Sequence, residues 1–316
     1  MSQASESALT PFRLRPVFSE RIWGRHGLAP WYPQAPAETA IGEAWLTGPA
    51  CVIETGPLAG KTLADAIAED PKAIIGDYPA TDFPLLLKIL FPEEKLSVQV
   101  HPDDAAAQRI GQPRGKTECW YVLEAKPGSM VALGLRQGVT PEALRAAAAN
   151  NTLEDLLQWL PVSVGDMVFV DAGTVHAIGP GVVMLEIQQT SDTTYRVYDY
   201  GRPRELHLDA AIGVMKPVTN AGKVSPTRFP GATRLISEQY FVADRFDMDG
   251  TQPVVMSSSR SPQCVVALKG AITITTPGEA IVLNPGEAAI VPVGSPFATI
   301  KSSGPAAFVH TWPPSI

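Results

Sequence analysis

The fold is decided by the stretch Gly165-Asp-Met-Val-Phe-Val-Asp-Ala-Gly-Thr-Val-His176, which aligns without gaps on Gly286-Glu-Ala-Ala-Ile-Val-Pro-Val-Gly-Ser-Pro-Phe297. Upstream of these two stretches, Glu118-Cys-Trp-Tyr-Val-Leu123 aligns on Gln263-Cys-Val-Val-Ala-Leu268. The aligned stretches contain apolar runs of strand length and share a glycine turn. The chain therefore contains an approximate internal repeat, which predicts a duplicated β unit.

The two copies differ in length and in polar residues. The paired blocks of the first copy are further apart, by roughly the length of an Ala-rich segment at about 140–160, as a helical insertion would require. The second copy has glutamine and phenylalanine where the first has Glu118 and His176. We therefore predict a catalytic domain over 1–224 that carries this insertion, and a C-terminal domain over 225–316 that lacks metal ligands.

Glycine and proline divide the chain into short apolar segments. The 30 prolines and 26 glycines produce a pattern typical of a β-sandwich or barrel rather than of a helical protein. The clearest strand-length runs are Met167–Val170, Val182–Leu185, Cys264–Leu268 and Ala288–Val291. Two segments predict helices instead, namely Thr62–Glu69 and Thr140–Leu160. Asn150-Asn151 interrupts the second segment, which favours two short helices over one.

The glycine turn before His176 resembles a motif of the cupin superfamily. Cupins are jelly rolls, in which alternate residues of a strand face the interior. The predicted fold class is therefore mainly β, with two cupin (jelly-roll) barrels and a short helical insertion in the first. The same alternation applies to Gln99-Val100-His101, because side chains two residues apart on a strand point to the same face. Gln99 and His101 can thus share one inward site.

Candidate metal ligands come from three separate stretches of the chain. Gln99 and His101 lie on one strand, Glu118 on the next, and His176 follows the glycine turn. Two imidazoles, a carboxylate and an amide oxygen suit zinc or a similar divalent ion, with room for a water or substrate oxygen. Taken singly, His101 could cap a turn, Glu118 could be a surface charge and His176 a core histidine. Taken together, they favour a metal site. The remaining histidines, His26, His207 and His310, are interpreted as structural.

Composition limits the possible partners and compartments. The formal net charge of -7 disfavours nucleic acid as a partner, although a few local cations would be enough for a small anionic substrate. No apolar run is long enough to span a bilayer, and Met1–Thr10 lacks the features of a secretory signal. The three cysteines, Cys51, Cys119 and Cys264, are scattered and odd in number. We therefore expect a cytoplasmic protein with no disulfide framework.

At these residues the chain resembles the type I phosphomannose isomerases, particularly their short bacterial form. The resemblance spans about residues 12–220, whereas the C-terminal cupin is only generically similar. Trp23-Gly24 weakly matches an aromatic-glycine motif near the family's N-terminus. Four stretches carry the resemblance: Ile41–Trp45, Leu87–Leu90 with Leu96–Asp104, Gly115–Tyr121, and Asp171–Ile178 with Glu186–Arg202.

This resemblance implies an isomerase that interconverts mannose 6-phosphate and fructose 6-phosphate. It implies that one zinc ion per chain is bound by Gln99, His101, Glu118 and His176. It also implies active-site roles for Lys88, Lys116, Glu186, Asp192 and Arg196. Asp171 departs from the family, which commonly has proline there, and the helical insertion is much shorter than the helical domain of longer relatives. That shortening leaves substrate closure and the choice between monomer and homodimer open.

Aldose-ketose isomerisation moves a proton between C1 and C2 through an enediol, so the site must hold a base and stabilise oxyanion charge. Arg196 is our first choice for stabilising the enediolate or binding the phosphate. The alternative is a surface arginine paired with Asp199. Lys88 lies in an apolar strand, where burial would favour a basic catalyst, or it reaches the rim of the barrel instead.

Other polar side chains have more than one interpretation. Lys116 lies two residues before Glu118 and is a candidate contact for the phosphate or another part of the substrate. Glu186 could act as an acid-base group or orient a histidine. Ser97 lies two residues before Gln99 and either contacts the substrate or packs in the core, and Trp23 is a further candidate for substrate binding.

Two other functions fit a duplicated cupin. A non-catalytic sugar-phosphate-binding cupin would keep the fold and could lose the ligands. A cupin dioxygenase would use iron and typically several histidines, whereas this chain has a glutamine at one such position. Retention of the four candidate ligands and of Lys88, Lys116 and Arg196 favours the isomerase.

Overall fold

Strands dominate the computed structural model, which describes residues 9–257 and 259–314. Five α-helices lie among them: α1 (Leu63–Glu69), α2 (Pro71–Ile75), α3 (Asp104–Arg109), α4 (Pro141–Ala149) and α5 (Leu208–Val214), with a 3-10 helix at Leu153–Leu156.

The strands of the first two thirds of the chain are β1 (Phe12–Leu14), β2 (Val17–His26), β3 (Ala40–Trp45), β4 (Leu85–Leu90), β5 (Val98–Val100), β6 (Glu118–Ala125), β7 (Met130–Leu135), β8 (Leu157–Pro161), β9 (Met167–Val170), β10 (His176–Ile178), β11 (Val182–Gln189) and β12 (Tyr195–Tyr198). They are followed by β13 (Gly222–Val224), β14 (Thr227–Phe229), β15 (Ala232–Ser237), β16 (Val242–Met248), β17 (Val254–Met256), β18 (Gln263–Lys269), β19 (Ile272–Thr276), β20 (Glu279–Leu283), β21 (Ala288–Val291), β22 (Ala298–Lys301) and β23 (Ala306–Trp312). This confirms the prediction of a mainly β chain.

The chain forms two compact units that are not continuous in sequence. The first unit contains the chain up to Val17, Trp45–Leu87 and the part from Pro226 onward. The second unit contains Phe18–Ala44 and Lys88–Ser225, and all the predicted site residues belong to it. The limit at Ser225 lies beside the predicted boundary between 224 and 225. The two domains themselves stay a prediction.

The second unit contains the strands that carry the predicted site. One sheet has the order β13-β9-β6-β11-β4-β3-β2, and the other has the order β12-β5-β10-β7-β8. A buried apolar cluster draws side chains from both sheets, including Trp120 and Val122 from β6 and Val131 from β7. Burying apolar faces of two sheets against each other removes them from water, which stabilises a sandwich.

The outer face of the five-stranded sheet is covered by helices. Val98 and Val100 of β5 pack in one buried cluster with Leu144 of α4 and Ala211 of α5. Because side chains alternate along a strand, Gln99 between these two valines faces the inner side.

The helical insertion is shorter than the sequence predicted. Helix α4 and the 3-10 helix account for its helical part, and the chain becomes a strand at Leu157. Val131 pairs with Leu160 and Ala132 with Trp159, so sheet pairing overrides the helical pattern there. The other predicted helix is confirmed as α1, whose N-cap Thr62 accepts a hydrogen bond from the amide of Asp65.

The internal repeat is visible in the strand register. In the second unit, Glu118 of β6 pairs with Val170 of β9. In the first unit, Gln263 of β18 pairs with Val291 of β21, which is the equivalent pairing in the alignment. Among residues 9–257 and 259–314, no sheet closes on itself, so two closed barrels stay a prediction.

Two further predictions concern the whole described chain. Cys51, Cys119 and Cys264 are free and buried, as expected for a chain without a disulfide framework. Within the described ranges, the helices are too short or too polar for any of them to cross a membrane.

Candidate active site

The predicted ligands come together between the two sheets of the second unit. In the five-stranded sheet, Gln99 of β5 lies opposite both His176 of β10 and Arg196 of β12. In the facing sheet, Glu118 of β6 lies opposite Gln188 of β11. Glu118 and Trp120 are two residues apart on β6, and Trp120 belongs to the apolar cluster between the sheets. The same inner surface therefore changes from an apolar core to a polar site.

His101, Glu118 and His176 form the candidate metal centre. Their ligand atoms all lie within 4.8 Å of one another, and the three side chains are at most 1% exposed. His176 Nε2 is 3.3 Å from Glu118 Oε1, and His101 Nε2 is 3.6 Å from Glu118 Oε2. Ligands bound about 2.1 Å from one ion are separated by roughly 3.0–3.5 Å, so this spacing fits a shared divalent cation.

Backbone carbonyl groups fix the orientation of both imidazoles. His101 Nδ1 lies 2.9 Å from Thr193 O, and His176 Nδ1 lies 2.9 Å from Thr174 O. A carbonyl oxygen can only accept, so each Nδ1 carries the proton and each Nε2 keeps a lone pair directed toward Glu118. Burial lowers the pKa of both histidines, to about 4 for His176. Neutral imidazoles with free Nε2 lone pairs are the form that binds a metal.

The Glu118 carboxylate and the Gln99 side-chain amide are also placed to bind a cation. Neither oxygen of the fully buried Glu118 has a partner that meets hydrogen-bond geometry in the described part of the chain. Such a group strongly favours a nearby positive charge. Gln99 lies on the same side, with Nε2 3.3 Å from His176 Nε2. Rotation of its amide by half a turn would present Oε1 to the same point.

Lys116 provides a positive charge beside this group. Its Nζ is 3.0 Å from Glu118 Oε2 and 3.2 Å from His101 Nε2. Burial disfavours the ammonium form, but Glu118 and Glu186 more than offset this effect and raise the pKa of Lys116 above its ordinary value. Lys116 therefore remains protonated at neutral pH and can bind an anionic group.

Lys88 and Glu186 form a second buried pair. Lys88 Nζ lies 3.3 Å from Glu186 Oε2, and the two residues are 2% and 4% exposed. Lys88 is therefore buried, which is one of the two alternatives considered from the sequence, and it does not extend to solvent. Burial raises the pKa of Glu186, although Lys88 and Lys116 oppose this shift. A carboxyl group with a raised pKa beside an amine is suited to proton transfer.

A pocket of about 370 Å³ opens onto these groups. Its wall contains Lys88, Lys116, Glu186 and the other predicted residues Trp23, Ser97, Gln99, Asp192 and Arg196. Trp23 and Ser97 are buried, whereas Asp192 is exposed at the pocket. A larger cavity of about 680 Å³, beside Trp159 and Lys126, contains none of the predicted site residues.

Arg196 is not paired with Asp199, which was the alternative considered from the sequence. Asp199 binds Arg204 instead, whose Nη2 donates to Oδ1 at 2.7 Å, and it also pairs with Arg202. Arg196 Nη1 donates to Glu205 O at 2.8 Å. The guanidinium of Arg196 therefore lies in the pocket wall without a carboxylate bound to it in the described ranges.

Three charged residues of the pocket wall were missed by sequence reasoning: Arg21, Glu43 and Arg204. Arg21 precedes Trp23 by two residues on β2, so strand alternation could have placed both on the pocket side. Glu43 lies in the Ile41–Trp45 stretch, where a charged residue inside an apolar strand was a signal. Arg204 lies in a turn-rich segment without periodicity, and its ion pair with Asp199 has no signature in the sequence.

Comparisons of the sequence and of the structure with known proteins identify the same group of relatives. Residues 11–139 match the family model for the catalytic domain of type I phosphomannose isomerase. A mannose-6-phosphate isomerase of Streptococcus mutans is 35% identical over 278 residues, which cover 84% of this chain and 87% of that protein. A mannose-6-phosphate isomerase of Bacillus subtilis is 36% identical over 256 residues, covering 76% and 80%. The crystal structure of a Bacillus subtilis mannose 6-phosphate isomerase has a TM-score of 0.86 at 30% identity, covering 96% of this chain and 99% of that chain.

Proposed function

The chain belongs to the type I phosphomannose isomerase family, and we propose that it interconverts mannose 6-phosphate and fructose 6-phosphate in the pocket lined by Lys88, Lys116 and Glu186. The single observation that carries this proposal is the buried His-Glu-His group, which contacts Lys116 and Gln99 in the wall of a pocket that also contains Lys88 and Arg196. Cations in the wall suit a sugar phosphate, and the buried group suits a metal ion.

The proposed metal ion is zinc, one per chain, held by His101, Glu118, His176 and the amide oxygen of Gln99. Two imidazoles that are neutral and fixed through Nδ1, together with a carboxylate, form a ligand set that zinc prefers. When bound, the ion would supply Lewis-acid polarisation and a fixed position for the sugar oxygens.

The protein's own side chains would bind and orient the substrate. Lys116, still protonated, would donate to an oxygen of the substrate, and Arg196 would bind either the phosphate or the enediolate oxygen. Ser97 and Trp23 would contact the sugar from the buried side of the pocket, and Asp192 from its exposed side. These contacts hold one end of an extended sugar chain beside the buried Lys88 and Glu186.

Proton transfer between C1 and C2 is assigned to the pair of Lys88 and Glu186. Both groups line the pocket, so one of them can take the proton from one sugar carbon and return it to the neighbouring carbon, while the other stabilises the charge that develops. Because the pKa of Glu186 is raised, this carboxylate binds a proton more readily near neutral pH than an ordinary carboxylate does. Which member takes the carbon-bound proton is decided by the variants described in the Discussion.

A coupled assay tests the proposed function. Purified protein is supplied with mannose 6-phosphate, and fructose 6-phosphate is measured continuously before and after treatment with a chelator. We expect activity that disappears on chelation and returns with zinc. Substrate binding without product would support a non-catalytic sugar-phosphate-binding protein, and oxygen consumption with iron would support a dioxygenase. Either result would overturn the isomerase proposal.

Cytoplasmic location and a monomeric or homodimeric state complete the proposal. Three free and buried cysteines are compatible with a reducing compartment. Cell fractionation and light scattering on the purified protein test these two statements directly.

A further inference from the structure

The larger cavity of the second unit, about 680 Å³ beside Trp159, is separate from the active-site pocket. Leu96 and Ile178 line the active-site pocket, and Leu96 N donates to Ile178 O at 3.0 Å. Their chain neighbours Lys95 and Gly179 line the larger cavity, which shares no lining residue with the pocket. Its volume lies within the ~300–1,000 Å³ that is usual for ligand sites. The larger cavity is therefore a second candidate site that adjoins the first.

Backbone hydrogen bonds fix the shape of the larger cavity. The segment 126–129 forms a turn in its wall, in which Ser129 N donates to Lys126 O at 3.1 Å. Proline at the second position of this turn and Gly128, with φ 85°, at the third are the pattern of a type II turn. The buried Ser129 Oγ donates to Gly181 O at 3.1 Å, which connects the turn to a neighbouring segment of the wall. A wall held in this way loses little conformational freedom when a ligand binds.

Most charges in the wall of the larger cavity neutralise one another. The wall contains three basic and three acidic side chains. Lys95 Nζ lies 2.6 Å from Glu154 Oε1, and Lys126 Nζ lies 3.7 Å from Glu93 Oε1. These two pairs leave one arginine and one aspartate of the wall for a ligand.

That arginine and aspartate are Arg136 and Asp155. Arg136 Nε donates to Leu157 O over a long 3.4 Å, and no carboxylate pairs with this guanidinium in the described ranges. Asp155 is exposed, and its carboxylate likewise forms no ion pair with residues 9–257 or 259–314. One free donor group and one free acceptor group suit a neutral ligand that both accepts and donates hydrogen bonds. A phosphate or a nucleic acid would need an excess of positive charge, which this wall lacks.

Trp159 adds an aromatic surface to the same wall. The residue is half-buried and packs against the cluster that contains Val98 and Leu144, and it also lines the larger cavity. The face of an indole ring carries partial negative charge and attracts groups with partial positive charge, as Lys95 Nζ shows at 5.9 Å from the ring centroid. The C–H groups on one face of a pyranose ring have this polarity, and the hydroxyl groups at its rim donate and accept hydrogen bonds.

We propose that the larger cavity binds an unphosphorylated carbohydrate of one or two pyranose rings. Trp159 contacts the C–H face of one ring, Arg136 donates to its hydroxyl oxygens, and Asp155 accepts from its hydroxyl groups. A sugar phosphate fits less well, because its dianion would meet Asp155 and only one unpaired cation. This site goes beyond the proposed isomerase function and does not depend on it.

A titration of ¹⁵N-labelled protein with methyl α-mannoside and with methyl α-glucoside tests the proposal. These glycosides cannot open to an aldehyde, so neither can be isomerised. The chain has six tryptophans, and the indole N–H resonance of Trp159 is the one that Trp159→Phe removes. We expect this resonance to shift in a saturable way with at least one of the glycosides. The same shift should occur in His101→Ala, in which the active site is impaired.

Two variants that keep Trp159 test the polar contacts. Arg136→Gln and Asp155→Asn should each raise the dissociation constant about 10-fold, because each removes a charge-assisted hydrogen bond to the sugar. Both side chains are at least partly exposed, so the fold should remain, and the other amide resonances check this. The matched control is Arg109→Gln, which removes the same charge from an exposed position of α3 outside the cavity.

Three results would overturn the carbohydrate site. The first is the absence of a saturable shift at Trp159 with both glycosides, and the second is an unchanged dissociation constant in both Arg136→Gln and Asp155→Asn. The third is a free amino acid that shifts the same resonance at lower concentration than either glycoside, since the cavity would then be a site for a zwitterion. A wild-type protein that produces no fructose 6-phosphate, but whose Trp159 resonance still responds to a glycoside, would overturn the isomerase function alone.

Discussion

His176 Nε2 lies 3.3 Å from Glu118 Oε1, and the two residues come from opposite sheets of the same unit. A cation bound by both would connect the five-stranded and the seven-stranded sheet. Binding of such an ion should therefore stabilise the folded state as well as permit catalysis.

Metal removal is the first prediction. Chelation should abolish isomerase activity and lower the thermal midpoint, and zinc should restore both. In His101→Ala zinc should restore neither, because an imidazole that contributes one of the ligands is missing. His26→Ala provides the control, since this exposed histidine lies outside the ligand group. Rescue of His101→Ala by zinc would contradict the proposed ligand set.

The buried pair of Lys88 and Glu186 gives a second prediction. Lys88→Met should reduce kcat by a factor on the order of 10² to 10⁴ and cost about 3–5 kcal/mol of stability, because Glu186 is left as an unpaired buried acid. The pKa of Glu186 should rise further without the neighbouring ammonium, so any residual activity should shift to higher pH.

A double variant separates stability from catalysis at this pair. Lys88→Met with Glu186→Gln removes both charges, so most of the lost stability should return while activity stays low. Denaturant unfolding and the pH dependence of kcat measure the two effects. Glu186→Gln is also measured alone, and whichever of Lys88→Met and Glu186→Gln loses more kcat identifies the residue that takes the carbon-bound proton.

The third prediction concerns pH and His310. Burial lowers the pKa of this imidazole to about 3, whereas an unfolded histidine titrates near 6.5. Below pH 6.5 the unfolded chain therefore binds a proton that the folded chain does not, and stability falls as the pH drops from about 6.5 to about 3. Above pH 6.5, His310 makes no pH-dependent contribution to the free energy of unfolding. His310→Gln should reduce the slope of unfolding free energy against pH, and an unchanged slope would contradict the assignment.

The fourth prediction concerns the close approach of β2 and β3. A Cβ at Gly24 would lie 2.4 Å from the carbonyl carbon of Ile41, which is far inside van der Waals contact. Gly24→Ala should therefore destabilise the protein by about 1–3 kcal/mol or more. Gly213→Ala is the matched control, because its Cβ would meet open space in α5 and should stabilise by up to about 1 kcal/mol. Equal effects of the two variants would contradict this explanation.

Much of the strand structure was predictable because local patterns determine it. The apolar runs Met167–Val170 and Ala288–Val291 are strands β9 and β21 with the same limits. Side-chain alternation also placed Gln99 and His101 on one face, and both lie beside His176. Continuous apolar runs of strand length bounded by glycine or proline leave few alternative conformations.

The partners of charged groups were not predictable in the same way. Asp199 was considered as a partner of Arg196, yet it binds Arg204, five residues along the chain. That choice depends on a turn with positive φ at Tyr200, a conformation that a tyrosine rarely adopts and that the sequence does not signal. The pair of Lys88 and Glu186 joins residues far apart in sequence, so it follows from sheet order and not from local pattern.

In the second copy, the residue that corresponds to Glu118 is Gln263, and its side chain is hydrogen-bonded within its own sheet. Gln263 is buried, and its Oε1 accepts a hydrogen bond from His310 Nε2 at 2.7 Å within the same sheet. The second copy therefore satisfies this buried position with a hydrogen bond between two of its own side chains. When metal is scarce, the first unit should therefore fold as usual, whereas the second unit would lose both the stability and the activity that a bound ion would supply.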